Sequence, residues 1–568
     1  MEGRLAKITL AACALLALAS ASNVGARQRR GSAGARQSPQ SAQRGDSSAG
    51  ARAAMKLLQA GRLEEAEATA RAAVSAAPRD AEAHGVLGFI LAQRGRVDEA
   101  ERELREAVRL DPRSASALTN LGVLLVRASR AEEAVPVFEE VLRLDPSNPF
   151  ANYNLGLLYV ARGEHARAIP PLERFAGVKS GRRIAATPLS GETPAMVALV
   201  TAYLGAGRAN DAALLADFVE KNSPNDSRTL FSLGLAVAEG EDYARAARLF
   251  SRANELTPNT YEVLYNLGVA LFNAQRLEES QNVLRQAATL RPDEPEVFYR
   301  LGVVASARGE TVNALGLWQR ALVLRPVYPE ASFMIAEELV KNRRNERAIP
   351  FYETAVAQDP SKPIYHARLG VAHFRAKRYQ QARETFQRAI KLFPENPTLN
   401  FLAGYAARAE GQFDVAFKYF ERTVELDPSN AGAYANLGFL TAERGQHEEA
   451  ERLLRRALSI DADNYPATYD LGRLLVRMKR YDEALPVLER GARMGKDDPG
   501  VHYQLFLVYS RLKRKPDADR ELATFKTLEE ARKAADAGAP VKPEELPPPP
   551  ENSAAPKTEG PPPTPPKR

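Results

Sequence analysis

AEAHGVLGFILAQRGRVDEAERELREAVRLDPRS, residues 81–114, is the stretch that decides the fold. It reads as two amphipathic helices and a turn. Leu87, Gly88 and Leu91 fall on one face of the first helix, and Ala100, Leu104 and Ala107 on one face of the second, at helical spacing. Gly95 lies between them, the residue type that most easily ends a helix with a positive φ. Asp111-Pro112 closes the stretch, since Pro cannot continue a helix. Moving forward 34 residues places Leu121-Gly122, Ala134 and Asp145-Pro146 in the same roles. Repetition at a fixed period settles the architecture before any site is considered.

The small residue near the start of the second helix recurs as Ala66, Ala100, Ala134, Ala168, Ala212, Ala246, Ser280, Ala314, Ala348, Ala382, Ala416, Ala450, Ala484 and Ala518. The step is 34 residues except between Ala168 and Ala212. The first-helix glycine returns as Gly122, Gly156, Gly268, Gly302, Gly370 and Gly438, and the exit proline as Pro146, Pro258, Pro292, Pro360 and Pro428, among others. This pattern resembles the tetratricopeptide repeat family, a helix–turn–helix of 34 residues with small residues where its helices touch. The resemblance covers residues 47–536. It implies an all-α, right-handed superhelical solenoid of about 13–14 repeats, whose first helices line a concave groove that holds extended peptides.

Composition agrees with a helical array: 568 residues, 45% hydrophobic, 7% aromatic and 26% charged. The net charge of +7 is modest for this length, and Arg27, Arg29, Arg30, Arg36, Arg44 and Arg52 account for much of it. No compact basic face with interleaved aromatics is visible, so nucleic acid is not an expected partner. The single Cys excludes an intramolecular disulfide framework and a Cys-cluster metal site.

Residues 1–21 read as a signal peptide. Arg4 and Lys7 precede the apolar run from Ile8 to Ala19, and Ala19-Ser20-Ala21 forms a small-residue cleavage site. Leu10-Ala11-Ala12-Cys13 also matches a bacterial lipobox, and an uncleaved anchor is a further alternative. The expected location is therefore exported, periplasmic or envelope-associated. Residues 22–46 read as a disordered tether. Then come four repeats over 47–176, an insertion loop over 177–192, nine repeats over 193–498, a terminal repeat with a capping helix over 499–536, and a Pro-rich disordered tail over 537–568. The insertion carries Lys179, Arg182 and Arg183 and is either a tolerated loop or a hinge or basic docking segment. Pro136, Pro170, Pro350 and Pro486 are expected among the first four amides of their helices, which have no intrahelical acceptor.

Catalysis needs converging groups, and the sequence offers none. The six histidines lack any paired metal-ligand spacing. Nucleophile elbows and phosphate-binding loops are missing, and acid pairs such as Glu64-Glu65 recur at helix starts, where the dipole favours them. Neither enzymatic activity nor a cofactor or metal is expected. Recognition remains. In the family, the residue just before the Leu-Gly pair faces the groove; here that row reads Asn120, Asn154, Ser232, Asn266, Arg300, Arg368, Asn436, Asp470 and Gln504. A side-chain amide both donates and accepts, which suits sequence-tolerant binding of a peptide backbone. One residue earlier stand Tyr153, Phe231, Tyr265, Tyr299, Phe333, Phe401, Tyr469 and Tyr503. These either flank the ligand or pack between helices. The candidate groove is thus Asn120, Asn154, Asn266, Arg300, Arg368, Asn436, Asp470 and Gln504 with Tyr265 and Tyr299. The carboxylate clamp with which some family members read chaperone C-termini is not expected, because Leu157, Leu235, Val269, Val303 and Phe439 stand where it needs Asn. The expected role is a non-enzymatic scaffold for protein or peptide partners. The alternative is a structural assembly factor of an envelope secretion or polysaccharide-export complex, and a more distant one is glycan or peptidoglycan binding.

Overall fold

The computed structural model of the protein describes residues 39–184 and 192–537. Among these residues it has twenty-eight α-helices and one two-stranded hairpin. The described helices form two compact bodies, divided between Arg291 and Pro292. The N-terminal body runs from the pair Pro39–Gln59 and Leu63–Ala76 to the pair Tyr261–Asn273 and Leu277–Leu290. The C-terminal body runs from Pro295–Ala307 and Thr311–Leu324 to Pro499–Arg511 and Lys515–Ala537. In each, tandem helix–turn–helix repeats stack as an all-α solenoid, since a short amphipathic helix is marginal alone and must bury its face on a neighbour.

The repeat at 81–114 shows why the sequence folds this way. Asp80 caps the first helix, its carboxylate accepting the N–H groups of Glu82 at 2.9 Å and Ala83 at 3.4 Å. Asn148, Asn430 and Asn464 do the same for theirs. The turn is made by Gly95 at φ 73°. The two helices then meet small against large: a Cβ on Gly88 would lie 2.7 Å from Leu104 Cγ, and one on Gly122 the same distance from Phe138. Trp318 under Gly302 and Phe420 under Gly404 repeat the arrangement, and all four large side chains are buried. In several repeats the arginine that ends the turn ties neighbouring repeats together. Arg96 Nη1 donates to Glu67 at 2.7 Å and pairs with Glu99; Arg130 joins Glu101 and Glu133; Arg480 joins Glu451 and Glu483.

Successive first helices touch each other within a body, as Ala81–Gln93 and Ala115–Arg127 do, and Ala431–Glu443 and Tyr465–Arg477. Successive second helices do not approach as closely. The first helices therefore line the tighter, inner side of each stack.

Three segments differ from expectation. Helix Pro39–Gln59 begins inside the stretch read as tether, because Pro suits a first helical position and the Ala-rich run after it propagates the helix. Its Ala51 and Ala54 are fully buried. The insertion is no simple loop: Val178–Lys179 and Arg182–Arg183 pair antiparallel, Val178 is buried, and Arg183 forms a 2.6 Å ion pair with Glu192. That pair is almost wholly enclosed, so Arg183 is not a surface docking residue. Finally, Pro136, Pro170, Pro350 and Pro486 lie inside their helices, each as the sixth residue. The turn is tight enough for the helix to start early, and each Pro removes one interior hydrogen bond. The expected signal peptide, most of the tether and nearly all of the Pro-rich tail fall outside the described residues.

Candidate functional site

The row of residues before the Leu-Gly pair lies on the first helices throughout, but its members behave differently in the two bodies. In the N-terminal body Asn120, Asn154 and Asn266 are half-buried. The Asn154 amide donates to the Phe150 carbonyl at 2.8 Å, and Asn266 donates to the Glu262 carbonyl at 2.7 Å. Each side chain is thereby fixed against its own helix with the amide oxygen uncommitted. Three and six residues beyond Asn120, Asn154 and Asn266, and beyond Ser232 on helix Ser227–Glu239, stand Val123, Val126, Leu157, Val160, Leu235, Ala238, Val269 and Phe272, all half-buried. The N-terminal row is thus an amide rail beside an aliphatic strip.

In the C-terminal body the same row is charged and tied to itself. Arg368 Nε lies 3.3 Å from Glu337, and the Arg300 guanidinium lies 5.6 Å from the Tyr299 ring centroid. Asn436 is buried and engaged at both ends of its amide, accepting from Arg408 Nη1 at 2.5 Å and donating to the Gly432 carbonyl at 2.8 Å. Arg408 and Arg473 both stack on Phe439, at 4.0 and 5.1 Å from the ring centroid. Asp470 sits 3.3 Å from Arg473, yet burial outweighs that guanidinium and pushes its carboxyl up to about 6. Gln504 is half-buried on the last first helix.

The aromatic row packs. Tyr153 meets Phe175 with ring centroids 4.9 Å apart, Phe231 meets Phe250 at 5.5 Å, and Phe401 meets Phe420 at 5.8 Å, each on the second helix of its own repeat. Tyr299 lies 5.2 Å from Tyr328, and Tyr265 stacks on Tyr261 at 5.8 Å. Of the two readings left open for these rings, interhelical packing accounts for most. Tyr503, 40% exposed, is the most open of the row.

Two of the histidines each tie a carboxylate to a backbone carbonyl. His84 bridges Glu103 at 2.6 Å and the Pro78 carbonyl at 3.1 Å, and His502 repeats this with Glu521 and Lys496. Burial, helped by Arg378 and Arg388, depresses the basicity of His373. Among the described residues no group of three His, Cys, Asp or Glu side chains could hold a metal ion, and no helix is long and apolar enough to cross a membrane.

Two family models, each described as tetratricopeptide repeat, match the chain. One matches residues 52–115, 90–149, 119–180, 197–261 and 333–397, the other 236–301, 407–456 and 441–505. The chain belongs to the tetratricopeptide repeat family. Its fold supports a protein-interaction scaffold with protein or peptide partners. Similar solved structures include the APC/C hetero-tetramer Cut9–Hcn1, at 14% identity over 80% of this chain and 94% of that one with a TM-score of 0.33. Yeast Tom70 gives 13% identity, 86% and 97% coverage and a TM-score of 0.32. YrrB, described as a TPR protein with an unusual peptide-binding site, gives 23%, 32% and 95%, and 0.30. These superpositions are loose, and nothing about partners follows from them. A search among curated proteins matched none.

The repeat signature locates the first helices but says little about what neighbours do there. The aliphatic strip beside the amides is legible at the same 34-residue period, and Leu157, Leu235 and Val269 of it stand where the clamp needs Asn. The Arg408–Phe439–Arg473 stack joins three tetratricopeptide repeats, and no pattern within one repeat announces it.

Proposed function

We propose that this tetratricopeptide repeat protein is a non-enzymatic scaffold that holds extended segments of partner proteins along the first-helix face of its N-terminal body. The observation that carries the reading is the pairing of uncommitted amide oxygens on Asn154 and Asn266 with the half-buried aliphatic strip alongside. An extended chain offers outward N–H groups to the oxygens and alternate side chains to the strip. The matching row of the C-terminal body is spent on its own ion pairs and stacks, which favours the N-terminal body as the working surface.

Screening the full chain against an array of linear peptides tests this, with the triple variant Asn120→Ala, Asn154→Ala, Asn266→Ala beside it. Peptides bound by the wild type and weakened about ten-fold or more in the variant support the groove. Equal binding by both sinks it. Export to the cell envelope belongs to the same proposal and rests on residues 1–21. Fractionation of cells making the tagged chain with and without that segment tests it, and an unchanged cytoplasmic distribution would reject it.

A further inference from the structure

In the N-terminal body a cleft of about 330 Å³ lies between two successive second helices, Tyr243–Leu256 and Leu277–Leu290. Leu267 and Leu271 of the first helix Tyr261–Asn273 form its buried floor. Arg248, Arg276 and Glu279 stand on its rim, and Arg252 pairs with Glu255 at 2.8 Å beside them.

The arginines that end the turns explain the cleft. Arg96, Arg130 and Arg480 each hold the glutamate three residues ahead. Each also donates Nη1 to a glutamate 29 residues back, Glu67, Glu101 and Glu451, at 2.7, 2.7 and 2.5 Å. Arg276 holds Glu279 in the same way, at 2.8 and 2.6 Å, but the residue behind it is Ala247. Its Nη1 has no acceptor among the described residues. Ser251 likewise stands where two of those repeats carry Arg71 and Arg105, which cross the joint to Glu99 and Glu133. Behind Arg344, Arg378 and Arg514 the glutamate is also missing, but Leu315, Ile349 and Leu485 supply bulk in its place. Here two short side chains, Ala247 and Ser251, leave the cleft. Arg248 on its rim is exposed and makes no hydrogen bond or ion pair among the described residues.

We infer that this cleft docks a glutamate side chain of a partner protein, its carboxylate received by Arg276 Nη1 and Arg248 and its stem laid over Leu267 and Leu271. The occupant follows from the closed joints, where a glutamate carboxylate takes the same nitrogen of the same turn arginine. Glu279 does not exclude it, because Arg130 holds Glu101 and Glu133 at once, and a guanidinium has donors for both. The lining holds no aromatic side chain on which a nucleic acid base could stack. The amide groove lies along the first-helix face and this cleft opens between second helices, so the two are separate sites.

The test uses the full chain carrying Asn120→Ala, Asn154→Ala and Asn266→Ala as parent, so that the amide groove does not contribute. Anisotropy follows a fluorescently labelled ten-residue peptide of alternating Leu and Glu, with its Leu-Gln counterpart, which should bind about ten-fold or more weakly. Ala247→Glu puts a carboxylate of the chain itself into the cleft, as Glu67 and Glu101 do at their joints. The variant should unfold at the parent's denaturant concentration or above it while binding the Leu-Glu peptide about ten-fold or more weakly. Arg248→Gln alters an exposed side chain, so it should keep the parent's stability and weaken binding about three-fold or more. Ala213→Glu makes the same substitution at the exposed place one repeat earlier and should bind as the parent does. Leu-Glu binding that is absent, matched by the Leu-Gln peptide, unchanged by Ala247→Glu and Arg248→Gln, or lowered equally by Ala213→Glu overturns the inference. So does an Arg248-dependent affinity for free N-acetylglutamate or for phosphatidylglycerol vesicles that exceeds the affinity for the peptide.

Discussion

Arg408 and Asn436 are bonded across two successive first helices, with Nη1 donating to Oδ1 at 2.5 Å. Asn436 is 3% exposed, so its oxygen has no water to fall back on. Arg408→Met keeps much of the packing on Phe439 but orphans that oxygen. The variant should lose about 1–3 kcal/mol, read as a lower urea midpoint. A midpoint equal to the wild type would mean that the contact contributes nothing.

Asp470 gives the C-terminal body a dependence on pH. Its folded carboxyl titrates at about 6, raised by burial, whereas an unfolded Asp titrates near about 3.9. The fold therefore prefers the neutral acid, and stability falls as pH rises from about 4 to 6 and levels off above. Asp470→Asn should be more stable than the wild type by about 2–3 kcal/mol at pH 7.5 and equal to it at pH 4. Denaturation at the two pH values checks this, and a gain of the same size at both would refute it.

Ala450 has no exposed surface, and its carbonyl oxygen lies 3.3 Å from where a Cβ on Gly438 would be. Nothing can move to admit a larger side chain without parting the two helices. Ala450→Leu should cost about 1–3 kcal/mol, measured by thermal or urea unfolding, whereas an unaffected variant would show that this joint is loosely packed.

Pro136 is exposed and interrupts helix Ala131–Leu144, leaving the Glu132 carbonyl without its amide partner. Pro136→Ala restores the bond and a good helix former, and should stabilise the fold by about 1–3 kcal/mol. Loss of stability instead would assign the ring a packing role.

Much of the fold was readable because each repeat solves the same problem with the same residues. Ala100, Gly88 and Asp111-Pro112 announce a close helix pair and its exit wherever they recur. The prolines were misplaced because sequence shows where a helix is interrupted more clearly than where it starts. The insertion looked like a loop because its order comes from distant partners, Glu192 for Arg183 and Tyr203 for the Gly181 amide. For the site, the amide row was legible as a row, but its condition was not. Nothing near Asn436 in sequence reveals that Arg408, 28 residues away, has already claimed it.

The arginine rungs between neighbouring repeats carry a consequence for inheritance. Arg130 reaches back to Glu101 as Arg96 reaches back to Glu67, with the same bond at the same 2.7 Å. The repeat at 81–114 therefore holds both a donor for its predecessor, Arg96, and an acceptor for its successor, Glu101. A further copy of that repeat would find both partners at its joints, so the array could lengthen there by duplication.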